Sequence, residues 1–288
     1  MADEAPRVSK KKGLLVRLTV APAVMAFLFG VLAWHASTGH AYGTDVVLVL
    51  FAAGAAYEVA AMTAKAGRPA HLAIAVVFAG ALAGLGLLAP TSPAVRAVLR
   101  SLLLVGCVLA VFVRHLRTPQ PGDLDRILST VFPVVFVGYL FGLLRELGDG
   151  SDGAKRILFV TFSSKASDIG GWVVGKAIGR HKMIPSVSPG KTWEGTIGGL
   201  AFSAGMALLV RALAGPPPGL ADGPLEAACL GVALGAASIV AGLCHSALKR
   251  RCGVKDSSTL LPEMGGILDM IDSLLLAAPV AWLWMLCR

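Results

Sequence analysis

Charge is scarce in this 288-residue chain: only 15% of its positions are Asp, Glu, Lys or Arg, against roughly a quarter in soluble domains. With 56% hydrophobic residues, that scarcity excludes an ordinary soluble enzyme. The marks of several familiar sites are missing too. The five cysteines, Cys107, Cys229, Cys244, Cys252 and Cys287, show no C-x-x-C spacing, so neither a disulfide framework nor a zinc site is indicated. Around Pro189-Gly190-Lys191-Thr192 the G-x-x-x-x-G-K-[ST] spacing is absent and no strand is expected before it, which excludes Walker-type ATP binding. No serine stands in a G-x-S-x-G elbow, and His181 and His245 read as loop residues without an assigned partner, so a hydrolase triad is excluded. The formal charge of +9 does not point to nucleic acid, because the Lys and Arg residues lie between apolar runs and form no patch on a soluble face.

What is present instead is a succession of apolar runs of about 20 residues, each long enough to cross the roughly 30 Å hydrocarbon core as a helix. They fall at about 14–34, 44–63, 71–90, 97–113, 128–144, 156–179, 195–214, 225–244 and 266–286. The expected fold is therefore all-α, a polytopic membrane protein with about nine transmembrane helices. The first run follows the basic cluster Lys10 to Lys12 and is too long for a cleaved signal peptide, so it reads as a span. The fourth and fifth runs are short enough for a re-entrant or merged segment. With the amino terminus cytoplasmic, Lys10 to Lys12, Lys65, Arg68, Arg114, Arg117, Arg126, Lys176 to Lys191 and Lys249 to Lys255 fall inside. Arg96, Arg100, Arg145, Lys155, Arg156, Arg211 and Arg288 fall in outer loops or at outer ends. Residues 1–150 read as amino-terminal packing helices, and 151–288 as a catalytic membrane domain with cytoplasmic loops 180–194 and 245–265.

A charge inside a span costs several kcal/mol unless it faces a polar cavity, so Glu58, Lys165, Asp168, Asp269 and Asp272 are the natural candidates for chemistry. Asp269, Asp272 and Ser273 stand at i, i+3, i+4, on one helix face. Two carboxylates so placed repel unless a cation lies between them, and hard oxygen ligands near phosphate point to Mg²⁺. Gly265-Gly266 just before them would let backbone N–H groups approach a phosphate. The preceding loop brings Lys249, Arg250, Arg251 and Lys255 beside Asp256, cations for phosphates next to carboxylates for a metal, as phosphoryl or nucleotidyl transfer requires. Upstream, Asp168, Trp172, Gly175 and Gly179 share a face with an acid at its base, and the following loop adds Arg180, Lys182, Ser188, Lys191, Thr192 and Glu194 as a phosphate or nucleotide cover.

The two clusters together resemble the phosphatidate cytidylyltransferase family. Its carboxyl-terminal signature, S-x-x-K-R-x4-K-D-x-S/G, then P-G-H-G-G, then L-D-R-x-D-S, is matched in register by Ser246, Lys249, Arg250, Lys255, Asp256, Ser258, Pro262, Gly265, Gly266, Leu268, Asp269, Asp272 and Ser273. Asp168, Gly175, Gly179, Pro185, Ser188, Pro189, Lys191, Thr192, Glu194 and Gly195 follow the family's upstream pattern. Glu263 and Met264 stand where Gly-His is usual, Met270 for Arg, Gly190 for Lys or Asn, and Trp172 for Tyr. The resemblance implies transfer of the cytidylyl group of CTP to phosphatidic acid, giving CDP-diacylglycerol and pyrophosphate, with Mg²⁺ required and a second, monovalent cation left open. It implies a catalytic set of Lys249, Arg250, Lys255, Asp256, Asp269 and Asp272, with Asp256, Asp269 and Asp272 on the metal. Asp168, Ser188, Lys191, Thr192, Glu194, Ser246, Gly265 and Gly266 are then expected to bind substrate. The partners are CTP, phosphatidic acid and the bilayer, with no nucleic acid; a homodimer is compatible with this reading but not fixed by it. The expected location is the cytoplasmic (inner) membrane, active site towards the cytoplasm. Two other readings stay open: a CTP-dependent enzyme on another lipid phosphate or alcohol, and a membrane transporter.

Overall fold

The computed structural model describes residues 26–89, 92–117, 119, 122–258 and 265–288. The basic cluster Lys10 to Lys12, the start of the first expected span, and Pro262, Glu263 and Met264 lie outside the described residues. Each of the nine apolar runs contains helix. These are α1 (Ala26–Thr38), α2 (Tyr42–Lys65), α3 (Leu72–Ala83) with its short continuation α4 (Leu85–Leu88), α5 (Pro93–Arg117), α6 (Asp123–Leu147), α7 (Gly153–Ile178), α8 (Trp193–Ala214), α9 (Pro224–Arg251) and α10 (Ile267–Leu286). Six of them, α2, α5, α6, α8, α9 and α10, are long and apolar enough to cross a membrane, and the chain is a multi-pass membrane protein. The fourth and fifth runs, short in sequence, are helices of 25 residues each, because their charged ends are helical as well. In α6 a π-helical stretch, Val134–Tyr139, follows Pro133, whose ring removes one ladder hydrogen bond.

The all-α expectation has one local exception. The 180–194 segment is not an irregular loop but a small antiparallel hairpin, β1 (Lys182–Ile184) and β2 (Ser188–Thr192), with Lys182 opposite Thr192 and Ile184 opposite Ser188. Pro185 and Pro189 fit because each stands where the pairing does not need its N–H. The 245–265 segment is likewise shorter as a loop than expected: α9 continues to Arg251, so His245, Ser246, Lys249 and Arg250 are helical residues.

Small residues set the helix spacing. A Cβ on Gly231 of α9 would sit 2.7 Å from Ala207 Cβ and 2.9 Å from Ser203 O of α8, and one on Gly199 of α8 would meet Ser167 O of α7 at 2.6 Å. Between lipid-soluble helices such close backbone approach supplies the packing energy that the hydrophobic effect cannot. Ser203, fully buried, adds a polar tie, its Oγ 2.5 Å from Ser163 O and 2.8 Å from Gly231 O.

Arg96, Arg100 and Arg145, expected in outer loops or at outer helix ends, lie near the start of α5 and the end of α6 and are buried. Arg96 and Arg100 hold Glu146 at 2.9 and 2.5 Å, Arg96 also pairs with Asp149, and Arg145 bridges Asp149 and Asp45 of α2, both at 2.6 Å. These arginines neutralise acids within the bundle, a role that a tally of loop charges does not reveal.

Candidate active site

The site is built where α7, α9 and α10 meet the hairpin. His245 and Lys249 are one turn apart on α9 and point at the acids of α10. Lys249 Nζ donates to Asp269 Oδ1 at 2.6 Å. The His245 ring lies between the two carboxylates, Nδ1 3.3 Å from Asp272 Oδ2 and Nε2 3.8 Å from Asp269 Oδ1, and its side chain is 1% exposed. From α7, Lys165 Nζ reaches Asp272 Oδ1 at 3.4 Å. The repulsion expected between Asp269 and Asp272 is therefore relieved by protein cations and an imidazole.

Asp269 is also committed to the backbone. Its Oδ2 accepts from Ser257 N at 3.0 Å, Ser257 Oγ at 2.7 Å and Gly266 N at 3.0 Å, so it caps the first turn of its own helix. Of the N–H groups expected to face a phosphate at Gly265-Gly266, that of Gly266 is engaged: it donates to Asp269, and those of Ile267 and Leu268 donate to Glu58. Asp272 remains partly open. Among the described residues no group of three or more His, Cys, Asp or Glu surrounds one point. Asp256, Lys255 and Arg250 are exposed, and Asp256 is not among the groups touching Asp269 or Asp272. Ser246 is half-buried on α9, next to His245.

The second cluster lies across α7. Asp168, Gly171 and Trp172 of α7 line a groove of about 250 Å³ with Ser188, Lys191, Thr192 and Gly195. This is the groove expected from the spacing. The gaps at Gly175 and Gly179, however, are filled: Thr192 and Gly195 pack into them. Thr192 Oγ1 caps α8 by accepting from Gly195 N at 3.1 Å, and Glu194 folds back onto His181, 2.6 Å from its Nδ1 and 3.2 Å from its backbone N. Glu194 thus ties the hairpin to α8. Lys191 Nζ reaches inward to Ile239 O at 3.3 Å. Burial pushes its ammonium below the ordinary lysine range, opposed by the Asp168 and Asp272 carboxylates.

A cavity of about 450 Å³ opens beside these charges, lined almost wholly by apolar side chains of α1, α2, α6, α7 and α10, among them Leu32, Phe51, Phe141, Phe162 and Leu274. Its polar end is formed by Lys165 and Asp269, and Met270 is part of its apolar wall. The sequence marks Lys165 only as an intramembrane charge and reads His245 as a loop residue, whereas the structure brings both to the acids of α10. The His245-x-x-x-Lys249 spacing is the signal that puts His245 and Lys249 on one helix face, once α9 is allowed to run past the apolar segment.

The sequence profile of the cytidylyltransferase family matches residues 16–287. Among curated relatives, a phosphatidate cytidylyltransferase of Pseudomonas aeruginosa is 51% identical over 121 residues, 41% of this chain and 43% of that protein. One of Haemophilus influenzae is 38% identical over 152 residues, 52% of each chain. An uncharacterized protein of Escherichia coli, YnbB, is 37% identical over 153 residues, 53% of this chain and 49% of that protein. The chain thus spans about half the length of the curated relatives it matches. With the profile running through all the helices that build the site, the chain belongs to the cytidylyltransferase family.

Proposed function

We propose that this protein transfers the cytidylyl group of CTP to phosphatidic acid, giving CDP-diacylglycerol and pyrophosphate. The observation that supports this best is the meeting, at Lys165 and Asp269, of an apolar cavity with a charged cluster. An acyl chain fits the first and a polyphosphate the second, and a lipid phosphate belongs at their junction. The relatives named phosphatidate cytidylyltransferase agree with it.

In the reaction a phosphate oxygen of the lipid attacks the α-phosphorus of CTP while the bond to the β-phosphate oxygen breaks, and the pyrophosphate leaves with that electron pair. The nucleophile is already ionised at neutral pH, so no general base is needed. The barrier is repulsion between two polyanions. Lys165 orients the lipid phosphate at the cavity mouth, Lys191 faces the triphosphate from the hairpin, and Lys249 holds Asp269 so that the α10 face stays in place. Asp272 and Asp168 are the carboxylates with oxygens left for Mg²⁺, in keeping with that ion's use of one or two carboxylates plus substrate phosphates. Bound Mg²⁺ supplies neutralisation of the triphosphate charge. The site faces the cytoplasm of the inner membrane, where CTP is found.

Incubating purified protein with α-labelled CTP, phosphatidate and Mg²⁺ tests the reading: labelled CDP-diacylglycerol and unlabelled pyrophosphate are expected. CDP without pyrophosphate would instead select a kinase-like reaction on another lipid, and substrate flux in proteoliposomes without CTP consumption would select a transporter.

A further inference from the structure

We propose that Glu58, on the second helix and about two hundred residues from the acids of α10, is a positioning residue for the transfer reaction; the proposal rests on the transferase reading above. Glu58 is 2% exposed, and its carboxylate accepts three hydrogen bonds from the signature segments and lies within reach of a fourth donor, the Ser257 hydroxyl. Oε1 accepts from Ser258 Oγ at 2.6 Å and Ile267 N at 2.9 Å; Oε2 accepts from Leu268 N at 2.8 Å and faces Ser257 Oγ at 3.0 Å. It is thus an amino-terminal cap for α10 supplied by another helix, satisfying two of the backbone donors that a helix start leaves open. A buried carboxylate in an apolar bundle needs such donors, and the positive end of the helix dipole adds to their effect.

The fit around it is close. A Cβ on Gly266 would overlap both the Glu58 carboxylate and Ser257 Oγ, and one on Gly54, a turn before Glu58, would overlap the Ile267 side chain. Glycine at both positions lets α2 lie directly on the first turn of α10. Ser257 Oγ has a single proton and two acceptors in reach, Glu58 Oε2 at 3.0 Å and Asp269 Oδ2 at 2.7 Å, so the Glu58 and Asp269 carboxylates are coupled through one hydroxyl.

The consequence is mechanical. Asp269 and Asp272 are two and five positions beyond Ile267, within the first two turns of the helix whose start Glu58 holds, and Ser257 is the residue after Asp256 in the basic segment. Loosening Glu58 lets the α10 face and the 252–258 segment move relative to Lys165 and Lys249. Displacements of about 1 Å at reacting groups cost on the order of a hundredfold in rate.

The test uses the full chain in lipid with Glu58→Gln, which keeps the shape but turns one acceptor arm into a donor facing donors, and with Ser258→Ala, which removes one of its hydrogen bonds and keeps the acid. Both are expected to lower kcat per folded molecule, Glu58→Gln by about tenfold or more and Ser258→Ala by less, with KM for CTP changed little. Tryptic cleavage after Arg250, Arg251 or Lys255 is expected to quicken in the same order. A purely structural role would lower the unfolding midpoint and leave kcat of the folded fraction unchanged. Wild-type kcat and wild-type cleavage in both variants would overturn the role of Glu58 and leave the transferase reading intact. Absence of CTP turnover by the unmodified protein would overturn that reading first, with the cleavage comparison still reporting whether Glu58 fixes the segment.

Discussion

Asp269 and Asp272 are three residues apart and both acidic, yet their surroundings give them different work. Asp269 has Lys249 on one oxygen and three donors of the 257–266 segment on the other, whereas Asp272 shares its oxygens with Lys165, His245 and its own neighbour's N–H. Asp272→Asn is therefore expected to reduce CTP-dependent turnover by about 10²–10³, the usual loss when one group acting on transition-state charge is removed, with little change in the unfolding midpoint. Asp269→Asn should lower both turnover and the unfolding midpoint, because Lys249 and the helix start lose their acceptor together. Equal effects of the two substitutions on stability would contradict this division. Lys165→Met, which keeps the stem that lines the cavity, should raise KM for phosphatidate far more than KM for CTP in steady-state assays.

The elements that carry these residues are held by glycine contacts and caps more than by large side chains. α7, α8 and α9 approach so closely at Gly199 and Gly231 that a side chain there meets backbone atoms, which cannot yield as a flexible tip can. Gly231→Val is expected to cost about 1–3 kcal/mol of stability by overpacking, seen as a lower midpoint in thermal unfolding of the purified protein, with KM values retained in the folded fraction. The hairpin is fastened at its base by the Thr192 cap and the Glu194–His181 contact. Its register places Lys191 towards the groove and leaves Pro189 and Gly190 exposed.

At the scale of the molecule, polar centres brace the bundle, among them the site and the Arg96, Arg100, Arg145, Glu146, Asp149 and Asp45 network. The network joins α2, α5 and α6. Arg96, fully buried, cannot be removed without leaving acids undercompensated, so Arg96→Met is expected to destabilise by about 3–5 kcal/mol while KM for both substrates stays near wild type. Thermal unfolding alongside steady-state kinetics checks both halves of that statement. The orientation proposed for the chain is open to a labelling experiment. With Cys287 as the only native cysteine retained, and with Lys255→Cys in a cysteine-free background, a membrane-impermeant maleimide should label the two from opposite faces of sealed vesicles.

The sequence by itself determined the class of the protein and marked the residues on which the proposed chemistry rests. Runs of apolar residues dictate helices in lipid because every backbone group must bond within its own segment, and the fixed spacing of Asp269, Asp272 and Ser273 puts them on one face in any helix. It also marked Glu58 and Lys165 as charges too costly to leave unpartnered. Tertiary structure decided the partners. That Glu58 caps α10, that His245 lies between two acids, and that Arg96 and Arg145 are buried rather than at a loop depends on which helices lie side by side. Hydropathy carries no information on that choice, since any apolar face satisfies lipid equally well. The extension of α9 to Arg251 and the pairing of β1 with β2 were hidden for a related reason: polar residues at a membrane surface read as loop until a neighbouring element gives them something to bond.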